Sequence, residues 1–354
     1  MSIPFVSTLI DTCNHERFIE QAIASVLEQD VPPREMEVIV VDDGSTDATP
    51  ALVQKFTPRV RYLRKANGGQ ASAFNVGIPE ARGEIVAFLD GDDWWAKDKL
   101  RTVLDAFAGN PDCGTVGHGI FETDSASGRA VPIRPQAEYR LRLATAEDAT
   151  LFSQLKCFLG TSRLAVRRSV LTSVLPIPEE LKVEADEFMF TLAAAIGRAI
   201  VLQRPLTYYR LHDGNLFQFR VGDEAKLRRK RDVMGCLVRD LPPRLAAVGA
   251  PRNVIEAVVK PVWVEAERLR LTCGGGNPWD TFRLEKAAYA AAYKETSLAY
   301  RAFKVMVLLS TLLAPPRQFY RAKAWYAARG LRNVRRVLGE PIPAAPILEG
   351  EAEI

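Results

Sequence analysis

From residue 5 the chain alternates short apolar runs with stretches where apolar residues recur every third or fourth position. Residues 5–10 form a compact apolar run, and Phe18, Ile19, Ala22, Ile23, Val26 and Leu27 follow at helical spacing. Residues 37–41 predict a second strand and 60–63 a third. Residues 71–78 suit a short helix that Pro79 should end, and 84–89 predict a fourth strand. Short buried strands alternating with helices imply an α/β fold, a mostly parallel sheet covered on both faces. Ligands of such sheets bind beyond the carboxyl ends of the strands. The second and fourth strands run into Asp42-Asp43-Gly44-Ser45 and Asp90-Gly91-Asp92-Asp93, so both acidic clusters should converge on one crevice.

Farther on the pattern is less regular. Strands are expected at 114–121, 162–166, 199–202 and 206–210, with a helix from about 186 to 196. From 223 onward the spacing is helical, with breaks expected at Pro242-Pro243, Gly274-Gly275-Gly276 and Pro315-Pro316. The chain therefore divides into an α/β domain over 1–220, a helical region over 221–340 and a flexible tail over 341–354.

The charge supports that division. A net +4 over 354 residues hides 23 Lys and Arg against 29 Asp and Glu through residue 219, then 24 against 11 from 220 to 340. The first part is suited to binding cations and the second to meeting an anionic surface. With 47% hydrophobic and 25% charged residues, neither wholesale disorder nor a polytopic membrane protein fits. Five scattered cysteines without CxxC spacing read as reduced thiols, and the start has no secretory leader pattern, so a cytoplasmic setting is expected.

Three acids within four residues at Asp90-Gly91-Asp92-Asp93 make an oxygen-rich site of the kind Mg²⁺ or Mn²⁺ shares with a phosphate. Alternatively they form a turn in which Asp93 caps the next helix. Asp42-Asp43-Gly44-Ser45-Thr46-Asp47 is open to the same two readings, an Asx turn or carboxylates that meet a nucleobase or ribose. Asp11-Thr12-Cys13-Asn14-His15 stands where a G-x-G-x-x-G dinucleotide loop would follow the first strand, and no phosphate-loop motif occurs.

The order of these pieces resembles family 2 glycosyltransferases, whose fold is GT-A. The resemblance rests on the strand ending in Asp11-Thr12-Cys13-Asn14, then S-V-L-E-Q, V-V-D-D-G-S-T-D, Asn67-Gly68-Gly69-Gln70, Ala73-Phe74-Asn75 and F-L-D-G-D-D. It covers about the first 110 residues closely and continues loosely to about 220. The resemblance implies transfer of a sugar from a nucleotide diphosphate, most often UDP, with inversion at the anomeric carbon. Asp186 falls at the position of the family's catalytic base, with Glu187 its rival because Ala185 replaces the usual Glu. Tyr209-Arg210-Leu211-His212 matches a second signature, which makes His212 a metal or diphosphate contact.

The implied metal ligands are Asp90, Asp92 and His212, holding Mn²⁺ or Mg²⁺. The implied nucleotide-sugar contacts are Thr12, Asp42, Asp43, Asn67, Gly69, Asp90, Gly91 and Trp94, with Trp94-Trp95 walling the sugar. Two departures concern the donor: Phe74 replaces an Arg common in the family, and Cys13 an aromatic. The degenerate Glu-Asp pair also suggests an alternative, an inactive sugar-nucleotide-binding or scaffold protein. A nucleotidyltransferase fits less well, because its basic glycine-rich loop is absent.

The acceptor class implied is a glycan or a lipid-linked glycan. Residues 296–339 carry nine Lys or Arg and no acid, with a ten-residue apolar run at 305–314 that is too short to span a bilayer. This stretch either lies on an anionic membrane surface at the inner face of the plasma membrane or packs as an ordinary helical subdomain. Nucleic acid is not expected, since no reader motif accompanies the charge.

Overall fold

In the computed structural model, which describes residues 5–125, 128–212, 223–292 and 298–328, the first apolar run is strand β1 (Val6–Thr12). It is followed by α1 (Ile19–Leu27), β2 (Met36–Asp42), α2 (Thr49–Gln54), β3 (Arg61–Arg64), α3 (Gln70–Glu80) and β4 (Ile85–Asp90). These strands lie in the order β3-β2-β1-β4, every pair parallel. Their side chains alternate between two buried faces, as a sheet covered on both sides requires. Val6, Ile10, Val38, Val40, Ile85, Ala87 and Leu89 pack with Ile19, Ala22, Ile23 and Val26 of α1. On the other face α3 comes so close that a Cβ on Gly77 would stand 2.5 Å from Leu9 Cδ1. Phe74 meets Phe88 edge-on there, with ring centroids 5.3 Å apart. Phe74 is thus a core residue. Pro79 falls in the last turn of α3 rather than ending it, because buried Phe74 and Ile78 hold the helix to the sheet.

Next come β5 (Trp94–Trp95), α4 (Lys99–Ala108), β6 (Cys113–Asp124), β7 (Ala130–Ile133), β8 (Tyr139–Leu141), α5 (Ala146–Leu155), β9 (Ala165–Arg167), α6 (Arg168–Val174), α7 (Ala185–Ile196) and β10 (Arg198–Leu211). Here the sheet is mixed. β9 runs antiparallel between β4 and β6, β6 is parallel to β10, and β5 pairs antiparallel with β10. Two expectations change. The strand expected at 162–166 starts only at Ala165, because Thr161–Arg163 forms a 3-10 turn that aims its hydroxyls at acidic side chains. The two strands expected at 199–202 and 206–210 are one, β10, with register shifts on either side of Pro205, which has no N–H for the ladder.

The helices α8 (Glu224–Ala247), α9 (Arg252–Gly274), α10 (Pro278–Ala292), α11 (Leu298–Ser310) and α12 (Pro316–Ala328) follow. The described residues fall into two compact units, one within Met1–Gly214 and Asp240–Val258, the other within Asn215–Arg239 and Val259–Ile354. The break expected at Pro242-Pro243 is absent, since both prolines lie inside α8. Leu241 and Leu245, fully buried, anchor the helix on either side of them, and tertiary burial overrides the lost backbone bonds. The expected breaks at Gly274 and at Pro315-Pro316 do separate helices. In the second unit Val264, Leu271, Leu284, Phe319 and Tyr320 form a small core. Asn215, the stretch 329–339 and the tail 341–354 lie outside the described residues.

Candidate active site

Parallel register brings the acidic strand ends together. Asp11 of β1 stands beside Asp90 of β4, and Thr12 beside Asp42 of β2. A carboxylate is unwelcome inside a sheet, so these residues sit where the strands give way to loops.

The first cluster is bound into its own loops. Asp42, fully buried, accepts from Ser45 N at 2.7 Å and from the Tyr62 hydroxyl. Asp43 accepts from Gly68 N at 2.8 Å, Gly69 N at 2.7 Å and Lys65 Nζ at 2.7 Å. Its two oxygens therefore shape the loop 65–69. Asn67 donates to Asp43 O at 2.9 Å and lies 3.3 Å from Cys13 Sγ. Gly69 has φ +88°, and a Cβ there would sit 2.5 Å from Lys182 Cα, so both conformation and space demand glycine.

The second cluster is crowded. Gly91 lies so close to Thr12 and His15 that a Cβ would stand 2.6 Å from Thr12 Oγ1 and 2.8 Å from His15 Nδ1. Asp92 Oδ2 meets His212 Nε2 at 3.0 Å and His15 Nε2 at 3.9 Å. Burial pushes the Asp92 carboxyl up, but the His212 hydrogen bond and the nearby imidazoles outweigh it and hold it below the usual range. Burial, then the charges of Asp11 and Asp92, push Asp90 well up. Asp11 is raised well above its ordinary value for the same reasons, burial first and Asp92 next. Asp93 is pushed up to about 8 by burial and by Asp92, while its Oδ1 accepts from Arg210 N at 2.8 Å.

Gln70, the first residue of α3, joins this cluster to the helix carrying Asp186. Its Nε2 donates to Thr161 Oγ1 at 3.0 Å and stands 3.4 Å from Asp90 Oδ1. Its Oε1 accepts from Ala185 N at 3.0 Å. Thr161 then donates to Asp186 Oδ2 from its N–H at 2.9 Å and its hydroxyl at 3.0 Å. Ser162 Oγ donates to Asp90 Oδ2 at 3.0 Å. Glu187 is directed elsewhere, its Oε1 bound by Lys156 Nζ at 3.0 Å. Glu184, just before α7, holds a left-handed φ of +58°, a strained conformation for a side chain with a Cβ.

The tryptophans differ. Trp95 is buried and donates from Nε1 to Ser162 O at 2.9 Å. Trp94 is half-buried, stacked on Tyr208 at 4.9 Å, with the Arg210 guanidinium 4.4 Å from its ring centre. The structure thus brings Thr12, Asp90, Gly91, Asp92, His212 and Asp186 into one region, with Asn67, Gly69 and Asp43 in the adjoining loop. Sequence reasoning missed His15, Gln70 and Thr161. His15 and Gln70 end two stretches already singled out, residues 11–15 and 67–70, and their place beside the acidic strand ends was the available signal. Thr161 had none.

A divalent cation fits the chemistry of this donor set. Asp11 Oδ1 is buried without a hydrogen-bond partner, and it adjoins three further carboxylates whose mutual repulsion a cation would relieve. Among the described residues no group of three acidic, histidine or cysteine side chains is arranged to hold a metal by itself. Such a cation would complete its shell with substrate oxygens and water, as Mg²⁺ and Mn²⁺ commonly do.

Comparison with known proteins identifies the family and the fold. Residues 7–174 match Glycosyl transferase family 2. The uncharacterized glycosyltransferase alr2836 of Nostoc is 35% identical over 217 residues, 59% of this chain and 66% of that protein. The succinoglycan biosynthesis protein ExoO of Rhizobium meliloti is 31% identical over 64% of this chain and 69% of its own length. Among solved structures, residues 1–349 of Staphylococcus aureus TarS with UDP-GlcNAc align with TM-score 0.56 and 20% identity, over 91% of this chain and 92% of that one. The mannosyltransferase PcManGT of Pyrobaculum calidifontis, solved with GDP-Man and Mn²⁺, aligns with TM-score 0.52 and 22% identity over 94% and 88%. These likenesses establish a GT-A fold.

Proposed function

This chain belongs to glycosyl transferase family 2, and from that premise we propose that it transfers a sugar from a nucleotide diphosphate, UDP foremost, to a hydroxyl of a glycan or lipid-linked acceptor, with inversion. The observation that carries the reading is the hydrogen-bonded path from Asp90 through Gln70 and Thr161 to Asp186, which ties a donor-side carboxylate to a base-side one. TarS with UDP-GlcNAc and PcManGT with GDP-Man and Mn²⁺ support a nucleotide-sugar donor and a divalent cation.

In this reading the loop of Thr12, Asp43, Asn67 and Gly69 shapes the nucleoside pocket, with Asp42 as its buried brace. Gly91 lets the donor approach β1, and Trp94 borders the sugar. Asp92, with Asp90 and His212, would hold Mn²⁺ or Mg²⁺ together with donor oxygens, and the cation would supply positive charge to the departing diphosphate. Asp186 accepts the acceptor's hydroxyl proton as that oxygen bonds to the anomeric carbon and the bond from that carbon to the β-phosphate oxygen breaks. A carboxylate is a weak base for an alcohol, so Asp186 mainly orients the hydroxyl and takes its proton late. Glu187 is the weaker candidate because Lys156 occupies it. The place of the missing family Glu is filled structurally, with Ala185 fully buried and its N–H on Gln70.

The catalytic domain is assigned to about residue 220, ahead of the helical region 221–340 and the tail. Among the described residues no helix is long and apolar enough to cross a membrane. A lipid-linked acceptor then calls for peripheral attachment at the inner face of the plasma membrane.

The test is release of UDP from UDP-sugars by the purified full chain with Mn²⁺. Asp186→Asn should slow turnover by at least about 100-fold and an exposed control, Arg140→Ala, should keep it. Equal turnover by Asp186→Asn and wild type would refute the assignment.

A further inference from the structure

The apolar residues of α11 are divided between two faces. Val307 packs against the small core of Val264, Leu271, Leu284, Phe319 and Tyr320. On another face Val305, Met306, Leu309, Leu312 and Leu313 are exposed by 41%, 63%, 53%, 37% and 86%. The helical path continues past Ser310 in tighter turns, with Leu312 N donating to Leu309 O at 3.1 Å and Leu313 N to Ser310 O at 3.1 Å. The five side chains are therefore spaced i, i+1, i+4, i+7 and i+8 along one stripe. Isolated exposed leucines are ordinary, but a contiguous stripe marks an interaction surface.

Its surroundings identify the partner. The stripe ends where the α11–α12 turn meets the α9–α10 turn, since a Cβ on Gly276 would stand 3.8 Å from Pro316 Cγ. At that end Trp279, in the first turn of α10, is 48% exposed. Trp is enriched where hydrocarbon meets water. The flanking charges are Arg301 and Lys304 on α11 and Arg317 and Arg321 on α12, with no acid from 296 to 339. Glu224 is the nearby counter-charge, and both Arg317 and Arg321 donate to it. Five apolar side chains fall well short of the ~20–30 residues per partner that a stable protein interface uses. Ten residues of apolar helix reach only ~15 Å, half of the bilayer core.

We propose that the Val305–Leu313 face of the second unit docks in the plane of an anionic lipid bilayer, its leucines and Met306 in the acyl boundary and its arginines and Lys304 at the headgroups. This names a surface partner for the transferase proposed above and rests on that reading for its purpose. Its test needs neither nucleotide nor turnover, so the two stand or fall separately.

The experiment is flotation of the full chain with vesicles of phosphatidylcholine, with and without phosphatidylglycerol. Wild type should float with the anionic vesicles, less so in high salt. The double variant Leu309→Glu/Leu313→Glu should lose at least about tenfold in partitioning. Circular dichroism and melting of the variant, with Leu313→Ala as a milder second change, separate lost docking from lost folding. Three results would overturn the proposal: wild type that stays unbound, a folded double variant that floats like wild type, or self-association of wild type that the double variant abolishes.

Discussion

Asp92 and His212 lie 120 residues apart in the chain and meet at 3.0 Å through Oδ2 and Nε2. The contact requires β10 to run its full length beside β6, because His212 follows directly on the last residue of β10. Phe18 completes the setting, its ring centroid 4.7 Å from that of His212. An imidazole held this way orients the carboxylate that we assign to the cation.

Truncating that imidazole tests the assignment. His212→Ala should weaken Mn²⁺-dependent UDP binding by about 10- to 100-fold, as loss of a metal-site partner commonly does. Calorimetric titration of UDP with and without Mn²⁺ checks this, and unchanged affinity would remove His212 from the site.

Gln70 should act as a positioning residue. Gln70→Ala leaves Ala185 N–H and Thr161 Oγ1 without their partner, a loss of about 1–2 kcal/mol for buried polar groups. Because Asp186 leans on Thr161, kcat should fall several-fold while the KM for the donor changes little. A chemical-denaturation curve beside steady-state kinetics reads both, and a rise in KM alone would contradict the role.

Glu187 and Asp186 should separate cleanly. Glu187→Gln breaks the ion pair with Lys156 and should keep transfer within about tenfold of wild type. Asp186→Asn should lose the ~100- to 10,000-fold contribution of a positioned base. UDP binding should survive in both, as measured by titration.

The helical unit has its own acid sensitivity. Arg268 donates to Glu285 from Nε at 2.8 Å and Nη2 at 3.0 Å, with Tyr320 and Lys323 close by. Burial pushes the Glu285 carboxyl up, but the charges of Lys323 and Arg268 and their hydrogen bonds outweigh it and hold it at about 2. Lys323 itself is pulled down to about 8 by burial, against the pull of Glu285. A depressed carboxylate stabilises the fold fully above its unfolded value near 4.5 and loses that contribution as pH falls toward 2. Helicity followed by circular dichroism should therefore drop over that window. Glu285→Ala, which leaves the half-buried Arg268 without its carboxylate, should cost about 1–3 kcal/mol at neutral pH and flatten the acid transition.

The acidic strand ends were legible in the sequence because parallel strands of similar length put their loops at one edge, whatever the rest of the chain does. The same local signals could not tell Asp43, whose oxygens are taken by Lys65, Gly68 and Gly69, from a carboxylate open to ligand. His15 and Gln70, although inside the stretches 11–15 and 67–70, gave no sign of a role because their roles arise from contacts with Asp92, Thr161 and Ala185, all distant in sequence. Pro242 and Pro243 misled for a related reason, since the burial of Leu241 and Leu245 is a tertiary fact. The apolar run 305–314 was visible from the start, but only the structure shows which of its side chains are exposed.

The most direct measurement of the central claim is the melting temperature of the full chain with UDP and Mn²⁺, wild type beside Asp92→Asn. At ligand about one hundred times its dissociation constant, binding should add about 2.7 kcal/mol and raise the wild-type melting point visibly. This rise should need Mn²⁺ and vanish in Asp92→Asn. A rise that persists in the variant, or no rise with any nucleotide, would contradict the claim.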